Sequence, residues 1–292
     1  MPINKNKIKY LIVDGKNAKL DHYYLRKFIG KFKKVTASRF SNIISYKLNC
    51  PYTSEFKSWL EIVGIWSEPP APVFNNVGNY IEPIVRESAC KHFNINWQAW
   101  NNKDIRWDAF KDNKIFGGIP DGEPVDEKGV IDYSTNLPIL EIKTMSVDTL
   151  AYEDDGNSLT MKLDEMGFPQ ILEREAKYKS LIVNNTINIP LAYKLQLGLY
   201  MYLRNTDNGI FAITLLEVED YKHPEYYSTD ERKIYYVWQF IDRKYFKTLI
   251  EYVEDWYMKY VKNGIAPPLT DDDLKWLDRE TKKTMWNIED DQ

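Results

Sequence analysis

Apolar residues recur along the chain at two spacings, one typical of helices and one typical of extended strands. Apolar positions three or four residues apart predict helices over residues 20–48, 54–65, 75–93, 190–203 and 243–264. Thr36 or Ser38 could cap a second helix within the first of these ranges. Pro83 is expected in the first turn of its helix, where a proline costs no hydrogen bond. Gly264 marks the end of the last helix.

Shorter apolar runs without helical spacing predict strands. These runs cover residues 105–110, 114–119, 129–133, 138–143, 209–218 and 233–241. The order along the chain is helices, a cluster of strands, and then helix, strand, strand and helix. This order predicts an α/β fold in which a mixed sheet is flanked by helices. Residues 147–188 are charged and irregular, with a helical piece near 169–183, and we interpret them as an insertion.

Composition limits the class of protein. A chain of 292 residues suits one large domain, or a core with appendages. No apolar run reaches the length of a membrane span, and the N-terminal segment lacks the pattern of a signal peptide. We therefore expect an intracellular, cytoplasmic protein without a membrane partner. The two cysteines, Cys50 and Cys90, are too few for a four-thiolate iron–sulfur or zinc site.

Charge is distributed unevenly along the chain. The net charge is −4, but residues 1–40 hold eleven lysines and arginines against two acids. The remainder holds 28 basic and 41 acidic residues, a net charge of −13. This asymmetry predicts a basic arm, over residues 1–34, on an acidic body. The alternative is a lysine-rich helix face that is merely solvated.

Two acids and a lysine lie at strand ends. Asp121 follows Gly-Gly-Ile-Pro, and Glu141-Ile142-Lys143 ends an apolar run. Because alternate side chains of a strand share a face, Glu141 and Lys143 should point the same way. If the two segments pair, Asp121 can meet Glu141, and two such carboxylates suit Mg²⁺ or Mn²⁺. The pattern fits phosphodiester hydrolysis, although an edge strand with solvated charges would look the same.

Two further features support a site. Glu82 precedes the strands near the start of a helix and offers a third carboxylate. Gln196 and Tyr200 lie four residues apart, on one face of an otherwise apolar helix. A buried amide is costly unless it is hydrogen-bonded, so Gln196 should have a specific partner. A glutamine satisfied within the core is the alternative.

The order of these motifs resembles the PD-(D/E)xK nuclease superfamily, and in particular its lambda-exonuclease branch of YqaJ-like viral recombinases. The resemblance starts at "VTASRFSNII" and continues through "YTSEFKSWLEIVG", "GIPDG", "LEIKT" and "AYKLQLGLY". It closes with the strand and helix that end at "NGIAPP" and covers about residues 31–268. The resemblance implies a restriction-endonuclease-like core over residues 35–268. The insertion at 147–188 departs from the family pattern, and a lid, a partner surface and a disordered insertion are the alternatives for it. Residues 269–292 are interpreted as an acidic tail.

The resemblance also implies roles for individual residues. Asp121, Glu141, Glu82 and the Ile142 carbonyl would bind the metal. Lys143 would be the catalytic lysine, supported by Gln196 from the neighbouring helix. The DNA contacts would come from Ser38, Arg39, Tyr200 and the lysines Lys31, Lys33 and Lys34, one of which takes the place of an arginine that usually precedes Thr-Ala-Ser.

The implied activity is metal-dependent exonucleolytic degradation of linear double-stranded DNA, in the 5′-to-3′ direction, in phage-type recombination or repair. The resemblance also implies that the chain works with a single-strand annealing protein and assembles as a homotrimer on double-stranded DNA. A restriction-like endonuclease is an alternative of the same superfamily. CRISPR-associated exonucleases with a cysteine-ligated cluster are excluded by the two cysteines. A catalytically silent DNA-binding protein is the alternative from another class, although the chain keeps every acid and the lysine.

Overall fold

The computed structural model describes residues 5–50, 53–67, 72–101, 105–134, 136–154, 159–183 and 186–289. Its α-helices are α1 (Lys5–Ile8), α2 (His22–Phe28), α3 (Ala37–Lys47), α4 (Glu55–Val63), α5 (Pro72–Phe93), α6 (Ala176–Leu181), α7 (Leu191–Leu203), α8 (Val218–Lys222), α9 (Arg243–Trp256) and α10 (Asp271–Glu289). A π-helical turn, Tyr257–Val261, continues α9.

The strands are mostly short. They are β1 (Leu11–Asp14), β2 (Asn17–Leu20), β3 (Trp97–Gln98), β4 (Glu123–Pro124), β5 (Ile139–Ser146), β6 (Thr149–Leu150), β7 (Tyr152–Asp154), β8 (Leu159–Met161), β9 (Ile171–Glu173), β10 (Ile182–Val183), β11 (Thr186–Ile187), β12 (Asn208–Leu216) and β13 (Ile234–Phe240). The chain forms two compact units, one of residues 1–69, 112–117 and 247–292, the other of residues 70–111 and 118–246.

The first unit is mainly helical. Its core includes the fully buried side chains of Phe40 in α3 and Trp59 in α4. The indole N–H of Trp59 donates to the carbonyl of Tyr260 over 3.1 Å, which ties α4 to the turn after α9. Gly264, with φ of 65°, lies in the left-handed region and ends that turn as the sequence predicts. Its carbonyl accepts the N–H of Leu20 over 2.7 Å, which joins the β1–β2 hairpin to this core.

The second unit is built on a three-stranded sheet in the order β13-β12-β5. β12 runs antiparallel to β13 and parallel to β5, so the sheet is mixed. Helix α5 packs its apolar face against one side of the sheet, where Leu140, Ile142 and Ile210 are buried. Helix α7 covers the other side, where Leu197 and Met201 approach Gly209. The prediction of an α/β fold with a mixed sheet and flanking helices is confirmed.

Pro83 lies in the middle of α5, not in its first turn, so that prediction was wrong. Proline cannot donate to the carbonyl of Asn79, one turn earlier. Both Asn79 and Pro83 lie on the exposed side of the helix, where water can bond the freed carbonyl. The helix continues because its opposite face, which includes Ile81 and Val85, is buried against the sheet.

The strand predicted over 105–110 does not form, and the strand predicted over 114–119 is reduced to one bridge, between Val35 and Phe116. Asp108 accepts the N–H of Phe110, and Asn113 accepts those of Ile115 and Phe116. These local bonds fold the backbone into turns, as Asp and Asn side chains often do. The strand predicted over 129–133 is reduced to one bridge, between Val125 and Ile131. Residues 129–133 therefore follow a turn and form one isolated bridge in place of the predicted strand.

The insertion is more regular than its sequence suggests. Three two-stranded ribbons form among its described residues, by β6 with β9, β7 with β8, and β10 with β11, and α6 lies between β9 and β10 in the chain. The segment interpreted as an acidic tail forms α10. Within the described residues, no helix is both long and apolar enough to cross a membrane.

Candidate active site

Asp121 is fixed beside the first half of β5 by its neighbours on the chain. Gly122 and Leu140 exchange both backbone hydrogen bonds, over 3.1 and 3.0 Å, so the predicted pairing of the two segments is confirmed. This antiparallel register places Pro120 opposite Ile142. Proline has no N–H to give, and the Asp121 carboxylate accepts the N–H of Ile142 over 2.8 Å. The carbonyl of Ile142 faces the same edge as its N–H, as strand geometry requires.

Glu141 and Lys143 share one face of β5, as predicted. Lys143 Nζ donates to Glu141 Oε1 over 2.7 Å. The Glu141 carboxylate is nearly inaccessible, with 5% of its side chain exposed. Its second oxygen, Oε2, is buried and has no hydrogen-bond partner among the described residues. An unpaired buried carboxylate oxygen is costly, so this atom marks where a cation would be stabilised.

Helix α5 contributes Glu82 and a second residue that the sequence analysis missed, Arg86. The two lie one helical turn apart, and Arg86 Nη2 donates to Glu82 Oε1. The same guanidinium donates through Nε to the backbone carbonyl of Asp121 over 2.9 Å. A basic residue four positions after an acid predicts this helical ion pair. Nothing in the sequence predicts the contact with Asp121, because that contact depends on where α5 packs.

Burial raises the pKa of all three carboxyl groups, and the charge of Asp121 adds to the rise in both glutamates. Burial, followed by repulsion from Asp121, raises the pKa of both Glu82 and Glu141 to about 7. Burial also raises the pKa of Asp121, although Lys143 and the Ile142 N–H oppose that rise. Burial alone would lower the pKa of Lys143, but attraction to Glu141 and Asp121 outweighs it and the pKa rises. Crowded acids with strongly shifted pKa values are typical of functional sites.

One face of α7 borders the site. The Tyr193 ring lies 5.1 Å from Lys143 Nζ, a cation–π distance. Gln196 follows one turn later, is half-buried, and forms no side-chain hydrogen bond with any described residue. The expected partner of this amide is therefore not found among the residues that the structure describes. Tyr200, which we expected to contact DNA, is 7% exposed and stacks on Phe110 at 5.9 Å. It forms a wall of the site.

The carboxylates of Asp121, Glu141 and Glu82 and the carbonyl of Ile142 are ligand types that suit a hard divalent cation. Their side chains are not grouped closely enough in this structure to coordinate one. Carboxylate and carbonyl oxygens are what Mg²⁺ and Mn²⁺ prefer, and Glu141 Oε2 is buried with no partner among the described residues. Within the described ranges, however, no three acidic, histidine or cysteine side chains are grouped closely enough to coordinate an ion. Lys143 and Arg86 engage an oxygen of Glu141 and of Glu82, respectively. The two cations thus offset part of the negative charge.

The other predicted DNA contacts lie in the first compact unit. Ser38 is exposed in the first turn of α3, and its hydroxyl is 3.2 Å from that of Thr36, the N-cap. Lys31 and Lys33 are exposed and Lys34 is half-buried. Arg39 differs from the expectation, because 12% of its side chain is exposed and its guanidinium is paired with Glu61 over 2.7 Å. It also donates to the Lys34 carbonyl, so its contacts are structural.

Comparison with known proteins gives relatives but no activity. The chain is 38% identical over 276 residues to the uncharacterized protein MG373 of Mycoplasma genitalium, covering 94% of this chain and 97% of that protein. It is also 38% identical over 272 residues to the MG373 homolog of Mycoplasma pneumoniae, covering 93% and 95%. The chain therefore belongs to the MG373 protein family. No protein-family model matches it.

Among solved structures, the chain is similar to the alkaline exonuclease LHK-Exo of Laribacter hongkongensis. The TM-score is 0.45 and the sequence identity 13%, over 89% of this chain and 98% of that one. A likeness of this extent establishes no function. Any activity must therefore be argued from the side chains around Asp121 and Glu141.

Proposed function

We propose that the protein is a Mg²⁺-dependent deoxyribonuclease of the PD-(D/E)xK type that degrades linear double-stranded DNA from its ends. The observation that carries this proposal is the Glu141 carboxylate. It is buried, one of its oxygens is paired with Lys143, the other has no partner in the described part of the chain, and it is repelled by Asp121. A purely structural ion pair would not need three carboxyl groups within repelling distance of one another.

The metal would be held by Asp121, Glu141, Glu82 and the carbonyl of Ile142. When bound, Mg²⁺ polarises a phosphoryl oxygen and lowers the pKa of a coordinated water. Mn²⁺ has the same ligand preference and could take its place.

Lys143 lies against the Glu141 carboxylate, one of the proposed metal ligands. Its ammonium group would hold the attacking water and stabilise the negative charge that develops on the phosphate. The hydrogen bond to Glu141 and the contact with the Tyr193 ring together fix the position of Lys143 Nζ. Gln196 has no partner among the described residues and lies between Tyr193 and Tyr200 on the same face of α7, so its amide would bond the water or a phosphate oxygen.

The DNA end would be bound by the first unit. Duplex DNA attracts lysine and arginine through its phosphates, and Lys31 and Lys33 offer exposed charges close in sequence to the start of α3. Helix N-termini bind phosphate through free backbone N–H groups. The Thr36 side chain does not bond the first N–H groups of α3, so these groups are available to a phosphate. Ser38 adds a hydroxyl there. A terminal 5′ phosphate at this place would give the 5′-to-3′ direction. The strand-annealing partner and the homotrimer stay predictions.

The test compares linear and covalently closed circular duplex DNA, each with Mg²⁺ and with EDTA. We expect the linear DNA to disappear from its ends with Mg²⁺, and the circle to survive. Cutting of the circle would instead favour the endonuclease alternative, and binding without loss of either DNA would favour a silent DNA-binding protein. Asp121→Asn should abolish degradation, whereas Glu87→Gln, which removes an exposed acid from α5, should not.

A further inference from the structure

Arg86 connects two elements of the candidate site. Its guanidinium reaches Glu82 in its own helix and the backbone carbonyl of Asp121 in the segment beside β5. Its side chain is 13% exposed, so the group is held in place by its surroundings. A planar guanidinium holds several N–H donors in fixed directions and can bond two acceptors at once. A lysine ammonium on its flexible side chain does this less well.

A second pair on the same helix shows what an ordinary ion pair at this spacing looks like. Glu87 and Lys91 are also four residues apart, with their charged groups 2.6 Å from each other. Their side chains are 69% and 75% exposed, and their contact stays within the helix. Such exposed pairs contribute little to stability. Burial and the bond to Asp121 therefore distinguish Arg86 from the basic residue of an exposed helical pair.

We propose that Arg86 is a positioning residue of the metal site, which holds the Glu82 carboxylate and the Asp121 backbone in the register that metal binding needs. The inference rests on the proposed function, because it concerns the same site. Arg86 bonds none of the atoms that would react. It acts through two of the proposed metal ligands, and such supporting contacts typically contribute a factor of about 10 to 100 in metal affinity.

The opposite effect is expected if Arg86 is only a counter-charge. A cation beside three carboxylates repels a divalent metal, and it also engages an oxygen of Glu82. Removing it would then tighten metal binding. The positioning role predicts weaker binding although the site becomes more negative. The sign of the change therefore separates the two roles.

The experiment measures Mn²⁺ binding to the full chain without DNA, by calorimetry, for wild type, Arg86→Gln, Arg86→Lys and Lys91→Gln. We expect Arg86→Gln to bind Mn²⁺ about 10- to 100-fold more weakly and Lys91→Gln to match the wild type. Arg86→Lys keeps the positive charge but loses the planar guanidinium, so this variant should also bind Mn²⁺ about 10-fold more weakly. If Arg86→Gln does not fold, Arg86→Lys decides the question.

Unchanged or tighter binding in the folded Arg86 variants would overturn the positioning role and leave the proposed nuclease intact. Equal weakening in Lys91→Gln would also overturn it, because the effect would then be one of overall charge. A wild-type chain that binds no Mn²⁺ would remove the proposed function and this inference with it.

Discussion

Glu141→Gln should make the metal-free protein more stable. The pKa of Glu141 rises from 4.5 to about 7 on folding, because of burial and the charge of Asp121. A raised carboxyl pKa means that the charged form is disfavoured in the folded state. The stability contributed by this group is complete below pH 4.5 and is lost as the pH rises through about 7. Glutamine keeps the shape and carries no charge, so it avoids that loss.

The size of the effect follows from the two pKa values. A change from 4.5 to about 7 corresponds to about 3 kcal/mol at pH 8. The attraction of Lys143 is already included, since it lowers the pKa of Glu141 and is outweighed. In a protein of this length, about 3 kcal/mol raises the unfolding midpoint by about 6 °C. Mg²⁺ at 100 times its dissociation constant should stabilise the wild type by about 3 kcal/mol, and the variant much less.

The assay is thermal unfolding at pH 8, in EDTA and in Mg²⁺. Glu123→Gln is the matched control, because Glu123 is a buried glutamate two residues after Asp121, with 1% exposure. Its carboxylate is satisfied, however, by the guanidinium of Arg204 and the hydroxyl of Tyr133. Breaking that pair should cost about 3 kcal/mol, with no response to Mg²⁺. The two variants thus change stability in opposite directions.

A Glu141→Gln protein that is less stable than the wild type in EDTA would refute the reasoning, since the charge of Glu141 would then stabilise the fold. An equal gain from Mg²⁺ in both proteins would refute the assignment of Glu141 as a metal ligand.

Three further outcomes are expected. Gly118→Ala should lower stability in urea unfolding by about 2 kcal/mol, because the residue has a φ of 141° and its new Cβ would lie 2.7 Å from the Tyr200 hydroxyl; equal midpoints would argue against this packing. Gln196→Ala should lower kcat without lowering the unfolding midpoint, since the amide bonds no described residue; a large loss of stability would mean that the glutamine is structural. A 5′-phosphate site at the start of α3 predicts that the wild type degrades 5′-phosphorylated duplex faster than 5′-hydroxyl duplex. Lys31→Glu with Lys33→Glu should remove that preference and make DNA binding less salt-dependent; an unchanged preference would place the phosphate site elsewhere.

The core of the candidate site was predictable from sequence because it depends on local rules. Alternation along β5 places Glu141 and Lys143 on one face, and the apolar residues before them, Ile139 and Leu140, are buried. Once the segment of Asp121 pairs with β5, the Asp121 carboxylate accepts the N–H of Ile142. Strand alternation and this pairing therefore account for the positions of Asp121, Glu141 and Lys143.

Tertiary packing decides the parts that the sequence did not predict. Arg86 reaches the Asp121 carbonyl only because α5 packs against β5. Tyr200 is a wall because Gly118 leaves room for its ring. Asp108 and Asn113 convert apolar runs into turns through side-chain bonds to the backbone, which compete with strand pairing and leave no periodic signal.

The measurement that bears most directly on the central claim is the release of nucleotides from linear duplex DNA by the wild type and by Lys143→Met. Both proteins are compared in Mg²⁺ and in EDTA, after circular dichroism has shown that the variant is folded. We predict Mg²⁺-dependent release by the wild type, none in EDTA, and a loss of about 100-fold or more in the variant, because the charge on the reacting phosphate loses its cation. Equal rates for the two folded proteins would contradict the assignment of Lys143, and with it the active site proposed around Asp121 and Glu141.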